Sequence, residues 1–205
     1  MLPFVIPPGT TPRGLITELL PKDHARLVPA HAGRARVFVH IDDARYTLDV
    51  DGAHLRSHVG ERLEETDRFD LSLTVDEATV QRFLDDWSGP KRWLPTFTPG
   101  GGVAILTDPR LLRRLAMVTG RIELAISDFE GERVSLTLAA GARAVHDDAA
   151  APDAVVEMKM DAFERLLDAS LAPDEAIGDS HVTVRGKKLV AMQFALALVP
   201  FFPPR

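Results

Sequence analysis

From Arg36 to Val50 the apolar positions Val37, Val39 and Ile41, then Tyr46, Leu48 and Val50, alternate with polar ones on either side of Asp42-Asp43-Ala44. Successive side chains on a strand point to opposite faces, so this spacing predicts a β-hairpin with one buried face. Leu71, Leu73 and Val75 continue the alternation and predict a third strand. Asp76 follows as an N-cap, because its carboxylate can accept the free amides of a first helical turn. Val80, Phe83, Leu84 and Trp87 then fall at i, i+3, i+4 and i+7, the stripe of a helix that Ser88-Gly89-Pro90 ends. Val103 to Leu106 reads as a short strand. Asp108-Pro109 opens a helix through Leu111, Leu112, Leu115 and Val118.

The second half repeats this order. Ile122, Leu124 and Ile126, then Val134, Leu136 and Leu138, form a hairpin pattern about Asp128-Phe129-Glu130-Gly131. Val156, Met158 and Met160 give a third strand, Asp161 a cap, and Phe163, Leu166 and Leu167 the start of a helix. Val182 and Val184 give a short strand, Gly186 a turn, and Leu189 to Val199 a last helix. Laying Asp76 on Asp161 puts Leu71, Leu73 and Val75 on Val156, Met158 and Met160, which predicts an internal repeat. The halves divide into 1–119 and 120–205. The first carries an extra loop, SGPKRWLPTFTPGGG, and is preceded by a helix from Pro12 to Leu27 with Leu15, Leu19 and Leu20 on one side. Pro21 should shorten or kink that helix.

The chain has 205 residues, 24 Lys plus Arg against 30 Asp plus Glu, and a net charge of −6. That balance disfavours a broad basic face for nucleic acid. The absence of Cys removes disulfides, thiolate metal sites and a cysteine nucleophile. No signal peptide is read in MLPFVIPPGTTPRG, and the most apolar window, Leu189 to Phe202, is shorter than a membrane helix. A cytoplasmic, non-spanning protein is expected. Ten Phe stand against one Tyr and two Trp, so polar-tipped rings are scarce.

The stretch from Asp153 to Leu198 resembles the closing half of the sterol carrier protein type 2 (sterol-binding domain) family. The residues carrying the resemblance are the strand Met158 to Asp161, the pair Leu166-Leu167, Pro173 in a loop, Val184-Arg185-Gly186, and the apolar last helix. With the hairpin from Arg121 to Leu138 the resemblance covers about Arg121 to Leu198, and the first half resembles the family more weakly, as a tandem or pseudo-duplicated copy. It implies an α+β fold of two similar halves, each a mostly antiparallel sheet covered on one face by helices. It also implies an apolar space between them for a sterol, a fatty acyl chain or another lipid. Each buried methylene adds about 0.8 kcal/mol, so such a space can bind without a charged anchor.

The candidate lining residues are Phe163, Leu166, Leu167, Met192, Leu196 and Leu198, with Phe201 and Phe202 beyond the helix end. At helical spacing the first six read more readily as ordinary core. Phe201-Phe202, among Pro200, Pro203 and Pro204, either fold back on the core or present an apolar tip to a membrane or partner. Trp87 and Trp93 flank or lie in the inserted loop, which reads as a lid or as a surface excursion. Arg185, Lys187 and Lys188 sit where the last helix starts and read as a solvated turn or as contacts for an acidic headgroup. His54 and His58 have i, i+4 spacing but no HExxH context, and no G-x-S-x-G elbow occurs. No metal, cofactor or catalytic residue is therefore expected. The leading expectation is a carrier of a hydrophobic small molecule, with transient membrane contact. The alternatives are an accessory module docking a partner enzyme and an enzyme enclosing a small hydrophobic substrate.

Overall fold

A computed structural model describes residues 6–27, 34–52, 54–60, 70–87, 114–115, 117–127, 133–140, 151–167, 170–178 and 181–198. Among the described residues eight strands, β1 (Arg34–Ile41), β2 (Ala44–Asp51), β3 (His54–Val59), β4 (Leu71–Val75), β5 (Gly120–Ser127), β6 (Arg133–Ala140), β7 (Ala154–Lys159) and β8 (Val182–Gly186), form one sheet. Their order is β3-β2-β1-β4-β6-β5-β7-β8. The helices that lie within the described residues are α1 (12–27), α2 (Glu77–Trp87), α3 (Met160–Leu167), α4 (Pro173–Gly178) and α5 (Lys188–Leu198). The fold is mixed α+β, and the sheet is one body where the sequence pattern implied a sheet in each half.

Both hairpins form as the alternation requires: Val39 stands opposite Tyr46 and Val37 opposite Leu48, while Ile122 stands opposite Leu138. In each half the third strand of the pattern then pairs parallel with the first strand of its hairpin. Val37 stands opposite Leu71, and Ile122 opposite Ala154. The antiparallel pair β4 and β6 joins the halves, with Leu73 opposite Leu138. The side-chain period across paired strands is conserved, so Val37, Leu73, Ile122 and Ala154 share a face that is apolar across the sheet. One buried cluster lies on it under α1 and α2, with Ile16, Val37, Tyr46, Leu48 and Val75. The other lies under α3, α4 and α5, with Ile126, Met158, Leu171, Phe194 and Ala197.

The opposite face is polar. Cross-strand ion pairs join Arg34 to Asp51 at 2.9 Å and Arg36 to Asp49 at 2.6 Å, and Ser135 donates to Glu123 at 2.8 Å. Phe38 also points to this side yet is only 1% exposed.

Three sequence expectations change. First, β3 was not marked, because His54, Arg56 and His58 hide its alternation of Leu55 and Ser57. Second, α1 contains a π turn, Leu15–Leu19, in which the Leu20 amide bonds the Leu15 carbonyl. Pro21 follows directly, and its ring would crowd the carbonyl four residues back in a regular α-helix. Third, α2 is capped by Asp76, whose carboxylate accepts from the Thr79 amide at 2.6 Å, but Asp161 lies inside the first turn of α3. The N-cap position there belongs to Lys159. The Asp76-on-Asp161 alignment is thus two residues out of the observed register. The strand expected at Val103 to Leu106 and the start of the helix after Pro109 lie outside the described residues.

Candidate functional site

The strand face beneath α3, α4 and α5 is built by local rules. Ile122, Leu124 and Ile126 on β5 alternate with Arg121, Glu123 and Ser127, and Ala154, Val156 and Met158 on β7 alternate with Val155, Glu157 and Lys159. Ile126 is fully buried, and α5 lays Val190, Ala191, Phe194 and Ala197 over this face. Partly buried apolar side chains rim the cluster: Leu124, Met160, Phe163, Leu166, Val184 and Leu198. Flexible Met and aromatic side chains at such a margin can rearrange around an apolar guest.

The predicted lining residues separate into three groups. Phe163, Leu166 and Leu198 lie at the margin of the buried cluster. Met192 and Leu196 are 48% and 54% exposed, on the side of α5 away from the sheet, together with Leu189 at 67%. Leu167 and Trp87 belong to described helices, but the positions of their side chains, and the whole of Trp93, Phe201 and Phe202, lie outside the described residues.

One corner of the sheet holds the roof in place. Asp153 donates its amide to the Arg121 carbonyl at 2.9 Å and accepts from the Arg121 amide at 3.0 Å through its carboxylate. Its carbonyl accepts from the Lys187 amide at 2.7 Å, and its other carboxylate oxygen accepts from Lys187 Nζ at 2.7 Å. These bonds tie the start of β5, the start of β7 and the entry to α5 to one residue. The lysine and the Arg121 amide hold the Asp153 carboxyl below the usual range. Gly186 adopts φ +80°, and a Cβ there would lie 2.5 Å from the Asp153 carbonyl oxygen. The glycine of Val184-Arg185-Gly186 is therefore required by close backbone approach. A Cβ on Gly120 would meet Val190 at 2.8 Å and the Asp153 carboxylate at 3.1 Å. Sequence reasoning passed over Asp153 because nothing local marks an aspartate that begins a strand.

On the polar face a cavity of about 500 Å³ is lined by Ser127, Glu157, Lys159, Asp161, His181 and Thr183, with Ala125, Met158 and Ala162. Met158 and Ala162 also belong to the buried apolar cluster, so the cavity borders that layer at the start of α3. Arg185 pairs with Glu157 there at 3.0 Å. His54 and His58 sit on a strand, where four residues span about 13 Å, too far for two ligands of one ion. Among the described residues no group of three or more possible ligands could hold a metal.

Residues 104–199 match the model of the SCP-2 sterol transfer family. The chain carries an SCP-2 domain. The match includes β5 to β8, α3 to α5 and the whole Asp153 corner, whereas β1 to β4 lie outside it. Among solved structures the chain is similar to sterol carrier protein 2 from Yarrowia lipolytica in its apo form, with 12% identity, 44% of this chain and 74% of the other covered, and a TM-score of 0.35. It is also similar to the sterol carrier protein domain 2 of Helicoverpa armigera, at 16% identity over 46% of this chain and 76% of the other, TM-score 0.35. Sterol carrier protein 2 like 2 from Aedes aegypti is 17% identical over 42% of this chain and 88% of its own, TM-score 0.31. No curated protein matches the chain. The SCP-2 domain thus falls on the half whose helices roof the apolar strand face, and Phe163, Leu166 and Leu198 belong to it. No helix among the described residues is long and apolar enough to cross a membrane.

Proposed function

We propose that the chain binds and carries a hydrophobic small molecule, a sterol, fatty acyl chain or other lipid, between the sheet and helices α3 to α5 of its SCP-2 domain. The observation that carries this reading is the coincidence of the family match with the helix-roofed apolar face. Phe163, Leu166 and Leu198 are the side chains we assign to the ligand's margin. Opening that margin exchanges contacts among partly buried residues for contacts with the guest, and burial of about ten methylenes supplies on the order of 8 kcal/mol gross. The reading assigns no catalytic residue and keeps the cytoplasmic location expected from the sequence.

The same reading takes 1–119 as a diverged copy of 120–205. Its support is a repeated backbone device. Asp70 donates its amide to the Arg36 carbonyl at 2.9 Å and accepts from the Arg36 amide at 2.8 Å, as Asp153 does with Arg121. In both halves this clasp starts the parallel pairing of the third strand on the first.

Solvent extraction of freshly purified protein followed by mass spectrometry, together with titration of a fluorescent fatty acid, tests the carrier reading. Copurified lipid or saturable binding is expected, and Leu166→Trp, which fills the margin, should lower uptake several-fold. A lipid-free protein that takes up no fluorescent fatty acid would overturn it.

A further inference from the structure

The outer side of α5 has no role in the layer just described, and it is unusually apolar for an exposed helix face. Leu189, Met192 and Leu196 are 67%, 48% and 54% exposed at i, i+3 and i+7, so they form one stripe about 10 Å long. Met117, 79% exposed, lies one turn beyond Arg114, whose Nη1 bonds the Leu196 carbonyl at 3.4 Å. Met117 therefore sits near the far end of the stripe.

Cations mark both ends. Lys188 is exposed at the N-terminal end, four residues before Met192 and on its side of the helix. Lys187, whose ammonium meets Asp153, stands beside it, and exposed Arg114 holds the other end. No Asp or Glu occurs in α5 itself. In a chain of net charge −6 this is a local reversal of sign.

We propose that this face of α5 is a docking surface for an anionic lipid bilayer. The proposal rests on the carrier reading, since a carried lipid must enter and leave a membrane, and it places the contact on the helix that roofs the ligand layer. An apolar stripe with a cationic border lies in the interface of an acidic membrane with its apolar side chains among the acyl chains and its cations at the headgroups. A second copy of this chain fits less well. Pairing the stripe with itself would bring Lys188 and Arg114 against cations of the partner copy in either orientation.

The test is flotation of the full chain with vesicles of phosphatidylcholine alone and of phosphatidylcholine with one third phosphatidylglycerol. Binding to the anionic vesicles is expected, weakened by salt. The double variant Met192→Asp with Leu196→Asp should lose at least tenfold, and Lys188→Glu about fivefold on the anionic vesicles only. Because the chain has no Cys, Met192→Cys carrying an environment-sensitive dye reports the same contact without a charge change. Its emission should shift to the blue with anionic vesicles, while the dye on Arg56→Cys should not respond. Equal binding by the double variant, or no blue shift at position 192, overturns the proposal. So does a dimer in sedimentation that the double variant dissolves, which would assign the face to a second copy. Extraction of copurified lipid reads the carrier function separately: lipid retained by a protein that ignores vesicles sinks the docking surface alone. Vesicle binding by a protein that takes up no ligand sinks the carrier reading.

Discussion

The clasps Asp70 on Arg36 and Asp153 on Arg121 make the same pair of hydrogen bonds, one from the Asp amide to the Arg carbonyl and one from the Arg amide to the Asp carboxylate, yet the second bears more of the structure. Asp70 joins two strands. Asp153 joins two strands and also receives the amide and the ammonium of Lys187, so it fixes the point where α5 leaves the sheet. The difference shows how a strand-pairing device becomes part of a helix-positioning corner once a glycine, Gly186, lets a second backbone approach. The half with the elaborated corner is the half that matches the SCP-2 family.

The comparison breaks first at the glycine. Gly186→Ala should cost about 3 kcal/mol in urea unfolding, from a left-handed backbone plus a Cβ forced onto the Asp153 carbonyl. A loss below about 1 kcal/mol would mean that the corner relaxes freely. Next, Asp153→Ala should cost about 2 kcal/mol and Asp70→Ala about 1, since one removes acceptors from two groups and the other from one. Equal losses would show that the Lys187 limb adds nothing.

The acid limb sharpens the contrast. A carboxyl whose folded value is lowered stabilises the fold above its unfolded value, near 3.8, and loses that contribution as pH falls through the lowered one. Asp153→Asn should therefore flatten the stability profile below pH about 4, as measured by thermal melting.

The smallest effect belongs to the first half. His24 on α1 is buried, its Nε2 donates to the Gly52 carbonyl at 3.1 Å, and its Nδ1 has no partner among the described residues. Desolvation lowers its pKa below 6.5, so the folded state keeps it neutral while the unfolded chain takes up a proton. Stability from this residue is complete above 6.5 and declines as pH falls below it. His24→Leu should remove that slope, seen as urea midpoints that vary less between pH 5 and 7 than those of the unaltered chain, a change of about 1 kcal/mol or less.

What local spacing reads in the sequence is which residues share a helix face, and only part of the candidate site follows from that. Phe163, Leu166 and Leu198 were named from helical spacing and lie at the margin of the buried cluster. Spacing also named Met192 and Leu196, because α5 is apolar around most of its circumference and its periodicity does not say which side meets the sheet. Phe38 shows the same limit in a strand. Its position belongs to the polar face by alternation, yet it is buried.

The sequence by itself determined the two hairpins, the Asp76 cap, the turn at Gly186 and the α+β class, since each depends on the conformational preferences of residues close in the chain. The tertiary structure alone decided that β4 and β7 run parallel to β1 and β5, that β4 meets β6 to make one sheet, and that α3 begins before Asp161. The reason lies in the strand period. Sliding one strand by two residues returns every side chain to the same face, so the hydrophobic pattern that put Asp76 on Asp161 is blind to that shift. The clasps at Asp70 and Asp153 are not, because a main-chain amide and carbonyl can meet their partners in only one register.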